Sequence, residues 1–88
     1  MLIPVILEVG IQPTEEPYSC YVPDILGCIT TGKTFEETIH HMQEALELYF
    51  EGGTPMPKLR SLYEVSQEMR EGDILASVSI SIERAKAA

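Results

Sequence analysis

The side chains in this chain that could do chemistry are few, and most lie close together. Asp24, Glu36 and Glu37 are carboxylates, with Cys20, Cys28, His40 and His41 nearby in sequence. Three carboxylates could hold Mg²⁺, a hard cation that takes oxygen ligands. Two cysteines and a histidine could serve zinc, but the close ligand spacings of structural zinc sites are missing. His40 and His41 are consecutive, so on a helix they diverge by about a hundred degrees and cannot chelate one ion together. His40 then points to solvent, and His41 falls near the edge of the apolar face. No Gly-rich phosphate loop, Gly-x-Ser-x-Gly elbow or Cys–His nucleophile signature occurs. The residue types point away from an enzyme and away from any metal or cofactor.

Each of these groups also has a simpler structural role. Asp24 can bond its own backbone further on, and Gly27 can take a positive φ, so Pro23–Gly27 turns the chain. Pro23 has no N–H to donate and ends strand pairing there. Thr34 followed by Glu37 is a capping-box pattern at a helix start. Glu36 and Glu37 fall in the first turn, where they complement the positive end of the helix dipole. Cys20 and Cys28 sit at the two ends of this hairpin, where a disulfide or a metal pair is conceivable. A reducing compartment and a total of two cysteines favour small buried hydrophobes instead.

The elements that must carry these groups follow from periodicity. Leu2–Val9 is nearly continuous apolar sequence and predicts a buried strand, and Gly10–Pro17 is a polar connection. Tyr18–Val22 and Cys28–Thr31 are short strands, with Tyr18, Cys20 and Val22 on one face and Ser19 and Tyr21 on the other. Phe35, Ile39, Met42, Leu46 and Tyr49 line one stripe of a helix from Phe35 to about Glu51, which Gly52-Gly53 stops. Leu48 and Phe50 fall off that stripe and either wrap its edge or meet a second subunit. Ser61 and Glu64 repeat the capping-box pattern. They open a short helix lined by Leu62, Val65 and Met69 and ended by Gly72. Asp73–Glu83 alternates Ala76, Val78, Ile80 and Ile82 with Ser77, Ser79 and Ser81, as a strand with one buried face does.

Together these predict an α+β domain in the order β-β-β-α-(α)-β. Three N-terminal strands and a C-terminal strand form an antiparallel sheet, with one long helix packed on one face. The domain spans residues 1–83, with 84–88 a frayed tail. The other sheet face, with Ser19, Ser77, Ser79, Ser81 and Tyr21, is expected to lie open to solvent or to another subunit.

At 88 residues and 44% hydrophobic, the chain suits one domain with a real core. No apolar run reaches the ~20 residues of a membrane span, and the apolar N-terminus lacks the basic start of a signal peptide. A cytoplasmic, membrane-independent protein is expected. Fourteen acidic against six basic residues give a net charge of -8. Such a surface repels phosphate, which disfavours direct nucleic-acid binding, and it attracts basic partners.

The ordered set Pro23, Asp24, Gly27, Cys28, Gly32, Thr34, Glu36 and Glu37, entered from a short strand ending in Val22, resembles the N-terminal domain of HicB-type antitoxins. Glu44-Ala45 in the long helix and the Pro-containing linker before the last strand also fit. The resemblance implies a domain that binds and neutralises a small basic HicA-like mRNA-cleaving ribonuclease toxin by masking its active surface. Tyr21, Asp24, Glu36 and Glu37 would then lie near the contact, and a homo-oligomer (dimer or tetramer) is expected. HicB antitoxins usually add a C-terminal helix-turn-helix or ribbon-helix-helix module. After Glu83 this sequence continues only as Arg-Ala-Lys-Ala-Ala, so toxin binding without direct DNA binding is expected. The alternative is a solitary HicB-like oligomeric module that binds another protein or a small ligand and has no toxin partner.

Overall fold

A computed structural model describes residues 1–10 and 16–81. Its elements are β1 (Leu2–Val9), β2 (Tyr18–Tyr21), β3 (Ile29–Gly32), α1 (Phe35–Glu51), α2 (Leu62–Ser66) and β4 (Ile74–Ser79). The four strands form one sheet in the order β3-β2-β1-β4, and every neighbouring pair is antiparallel. The α+β class and the element order agree with the sequence.

The apolar run of β1 places that strand in the interior. Ile3, Val5 and Leu7 pack into the main core with Met42, Leu46 and Phe50 of α1. Pro4 and Ile6 alternate onto the opposite face and are buried as well. Here the structure corrects the expectation of an open second face. α2 lies against β1, and Val65 and Ile6 are both at 0% exposure, outside the main core cluster. The single-helix picture overlooked that five residues of α2, Leu62–Ser66, can cover the middle of a narrow sheet. Ser77 and Ser19 are accordingly half-buried rather than open, and Ser79 is exposed.

α2 is also shorter than predicted: Val65 is its one buried residue, Leu62 is 45% exposed, and Met69 lies beyond its end. Its cap is as expected. Ser61 Oγ accepts from Glu64 N at 3.1 Å, and the Glu64 carboxylate accepts from Ser61 N at 3.0 Å. At α1 only half of that pattern forms. Thr34 Oγ1 accepts from Glu37 N at 3.0 Å, but the Glu37 carboxylate takes the N–H of Lys33 at 2.6 Å, one residue before the cap.

The buried face of α1 is wider than the predicted stripe. Thr38 and Phe50 join Met42 and Leu46 as its buried residues. Phe50 wraps inward, meeting Tyr49 edge-on with ring centroids 5.0 Å apart, whereas Leu48 stays 69% exposed. Thr38 tolerates burial because its hydroxyl donates to Thr34 O at 2.7 Å. Against it runs Gly32, where β3 and α1 approach so closely that a Cβ would collide with Thr38 Oγ1 and lie 2.8 Å from Thr38 N.

β4 is hydrogen-bonded from Ile74 to Ser79, shorter than predicted, with Ile74, Ala76, Val78 and Ile80 turned toward the α1 side. Ile80 N still donates to Met1 O at 3.0 Å. Ile82, Glu83, the expected tail 84–88 and residues 11–15 of the expected connection lie outside the described residues. Among the described residues, no helix is long and apolar enough to cross a membrane.

Candidate partner-binding surface

The turn between β2 and β3 is built from its backbone outward. Ile25 N donates to Val22 O at 3.1 Å and Val22 N to Cys28 O at 3.3 Å, which closes the loop. Gly27 sits at φ 84, a conformation that costs glycine little and other residues more. Asp24 is drawn inward. Its carboxylate accepts from Arg60 N at 2.9 Å and from Arg60 Nε at 2.6 Å, and its side chain is only 8% exposed. Arg60 Nη1 also donates to Glu68 at 2.7 Å. Hydrogen bonds to Glu68 and then Asp24 push the pKa of the guanidinium above its ordinary value. One arginine thus ties the turn to the linker after α1 and to the segment after α2. Sequence alone gave no sign of this bridge, because 36 residues separate Asp24 from Arg60.

The four residues expected at the contact occupy two places. Tyr21 pairs with Ile29 at one end of β3, with Asp24 in the adjoining turn. Glu36 and Glu37 follow Gly32 at the other end, roughly 10 Å along the strand. Tyr21 is half-buried, and its phenol pKa is raised by burial first and then by the charges of Glu8, Asp73 and Glu68. Glu36 is exposed, while Glu37 is occupied in the cap.

Both cysteines are free and buried, as expected of small hydrophobes. Burial, and next the neighbouring Cys28, push the Cys20 thiol up to about 12. Cys28 Sγ approaches Met42 Sδ at 3.7 Å. His41 Nδ1 meets Thr31 O at 2.8 Å, and His40 points outward to Glu44 at 3.2 Å. Among the described residues no three of these side-chain types gather as metal ligands.

What sequence reasoning missed is apolar. Leu26, at the tip of the turn, is 92% exposed, and Ile29 beside it is 68% exposed. A groove of ≈ 390 Å³ separates this turn from α1 and is lined by Leu26, Ile29, Ala45, Leu48 and Tyr49 among others. The same turn borders a second groove of ≈ 320 Å³, with Tyr21, Pro23 and Ile25. A leucine at the tip of a tight turn, where polar residues are the rule, was the available signal.

A four-stranded antiparallel sheet in this order, with a long helix on one face and an exposed apolar turn at its β3 edge, defines the class as an α+β sheet-and-helix domain. The chain belongs to the HicB-like antitoxins of bacterial toxin–antitoxin systems, whose family model matches residues 4–88. A UPF0150 protein of Helicobacter pylori is 41% identical over 39 residues, 44% of this chain; the match covers 54%, about half, of that relative's length. The structure is similar to one from a HicA3 and HicB3 toxin–antitoxin complex, at 28% identity and a TM-score of 0.67, covering 92% of this chain and 99% of that one. It is equally similar to the N-terminal domain of the Burkholderia pseudomallei antitoxin HicB, at 25% identity and a TM-score of 0.67, again covering 92% and 99%.

Proposed function

We propose that this domain binds a small, basic, HicA-like RNA-cleaving toxin and neutralises it by covering the surface on which the toxin grips RNA. The observation that carries this reading is the match to the HicB-like antitoxin family along residues 4–88. The net charge of -8 supplies a physical reason. A protein that grips phosphate presents a positive face, and a rigid acidic domain competes for it. Tyr21, Glu36 and Glu37 are proposed to border the contact directly. Asp24 is proposed to act through Arg60, by holding the turn in shape. The domain works as a binding protein in the cytoplasm, and association into a dimer or tetramer is compatible with its small size.

The test is titration calorimetry of the purified chain against a HicA-like toxin, the product of the neighbouring gene where one is encoded there, with RNA cleavage followed in parallel. The expected result is a one-to-one toxin–domain stoichiometry, loss of cleavage, and an affinity that falls as salt rises. A toxin that keeps cleaving RNA at saturating concentrations of this chain refutes the proposal.

A further inference from the structure

The geometry points to the β2–β3 turn and the neighbouring flank of α1 as one docking ridge, built for a protein that presents an apolar side chain flanked by lysine or arginine. This inference rests on the toxin-binding reading above and adds where the toxin sits.

Single exposed leucines are ordinary on a protein surface. Here Leu26, Ile29 and Leu48 gather at one edge of the molecule, at 92%, 68% and 69% exposure, with a groove on each side of the turn. The ridge is held in advance. Asp24 and Arg60 fix its base, and Gly27 supplies the positive φ of its tip, so a partner orders little on docking. The adjoining strand is an edge: β3 ends the sheet order. A hydrophobic centre on a rigid edge is the arrangement in which anchoring side chains contribute most to binding.

Charge selects the occupant. Glu44, Glu47 and Glu51 surround Leu48 in a shallow hollow beside the ridge. Glu44 meets His40 at 3.2 Å, but the last turn of α1 carries no basic residue. The negative end of the helix dipole is therefore reinforced rather than balanced there. A second copy of this chain, meeting the ridge symmetrically, would bring the same carboxylates face to face, which costs affinity. A basic protein with an apolar anchor satisfies both halves of the surface.

The test compares Leu26→Glu, Leu48→Glu and Glu47→Lys with the control Tyr63→Ser, whose side chain is 75% exposed on α2. Circular dichroism confirms folding, which exposed positions leave intact. The probe is the neighbouring HicA-like toxin, or that of the HicA3–HicB3 complex if no neighbour exists. Each leucine variant is expected to weaken toxin binding by at least about 30-fold. Glu47→Lys should slow association and flatten its salt dependence, with Tyr63→Ser unchanged. If the wild-type chain binds toxin and both leucine variants bind equally well, the ridge is overturned and the toxin reading stands. If the wild-type chain is a dimer that Leu26→Glu or Leu48→Glu splits, a second copy occupies the ridge and the inference fails. If the wild-type chain binds neither toxin, both readings fall.

Discussion

Gly32→Ala is the substitution whose cost follows most directly from geometry. An added Cβ would overlap Thr38 Oγ1 and lie 2.8 and 2.9 Å from Thr38 N and Cα. The hydroxyl cannot swing aside freely, since it donates to Thr34 O at 2.7 Å. The other two atoms are backbone, so relief means moving the first turn of α1 off β3 by about half an ångström in a close-packed core. Overpacking of this kind costs about 1–3 kcal/mol. Losing the flexibility of glycine in the unfolded chain returns about 0.4–1 kcal/mol. The net expectation is a loss of about 1–2 kcal/mol, which lowers Tm by about 5–15 °C in a domain of this size. Gly52→Ala is the internal control, because Gly52 has φ -72 and the nearest atom to an added Cβ is Tyr49 O at an ordinary 3.6 Å. That variant should match or slightly exceed the wild type. Thermal melts by circular dichroism decide the matter. A Gly32→Ala protein as stable as wild type would show that β3 and α1 are not in this contact. Gly32→Ala should also destabilise a Thr38→Ala background, where the backbone clashes persist.

Three further outcomes follow from the fold. Val65→Ala should cost about 2–3 kcal/mol in urea denaturation, and Leu62→Ala under about 0.5, because Val65 is the buried residue of α2 while Leu62 is 45% exposed; equal costs would contradict that cover. Native Cys20 should resist iodoacetamide at pH 8 and react once denatured. With its thiol raised from 9.0 to about 12, the native state keeps a proton that the unfolded state releases. The Cys20 contribution to stability is therefore fully present well below pH 9 and is lost as pH climbs toward 12, and Cys20→Ala should reduce that slope. Asp24→Ala should speed amide hydrogen exchange at Arg60, whose N–H loses its acceptor; unchanged protection would count against the bridge.

Local chemistry made much of this fold legible. Pro23, Gly27, Thr34 and Gly52-Gly53 mark boundaries through their own backbone preferences, and the run Leu2–Val9 announces a strand covered on both faces. The strand's own message was underused, since Ile6 needed a cover and Val65 supplies it across a connection no periodicity describes. The Asp24–Arg60–Glu68 bridge is a tertiary fact of the same kind. For the binding surface, carboxylates drew attention because charge is visible in composition. Leu48 stood out in the sequence as falling off the helix stripe, and Leu26 as a leucine at a turn tip, but that the two share one surface depends on how the turn and α1 meet.

The sheet order has a consequence for biosynthesis. β1 leaves the ribosome before the other three strands, yet one of its two neighbours is β4, whose Leu75 pairs with Ile6 across almost the whole domain. Until residues 74–79 emerge, one side of β1 exposes unpaired N–H and C=O groups along an apolar strand, a template for misassociation. The antiparallel β1-β2-β3 meander can form with α1 on the nascent chain, but the described sheet closes only when β4 arrives. The interval before closure is when this small protein most needs protection from aggregation or proteolysis.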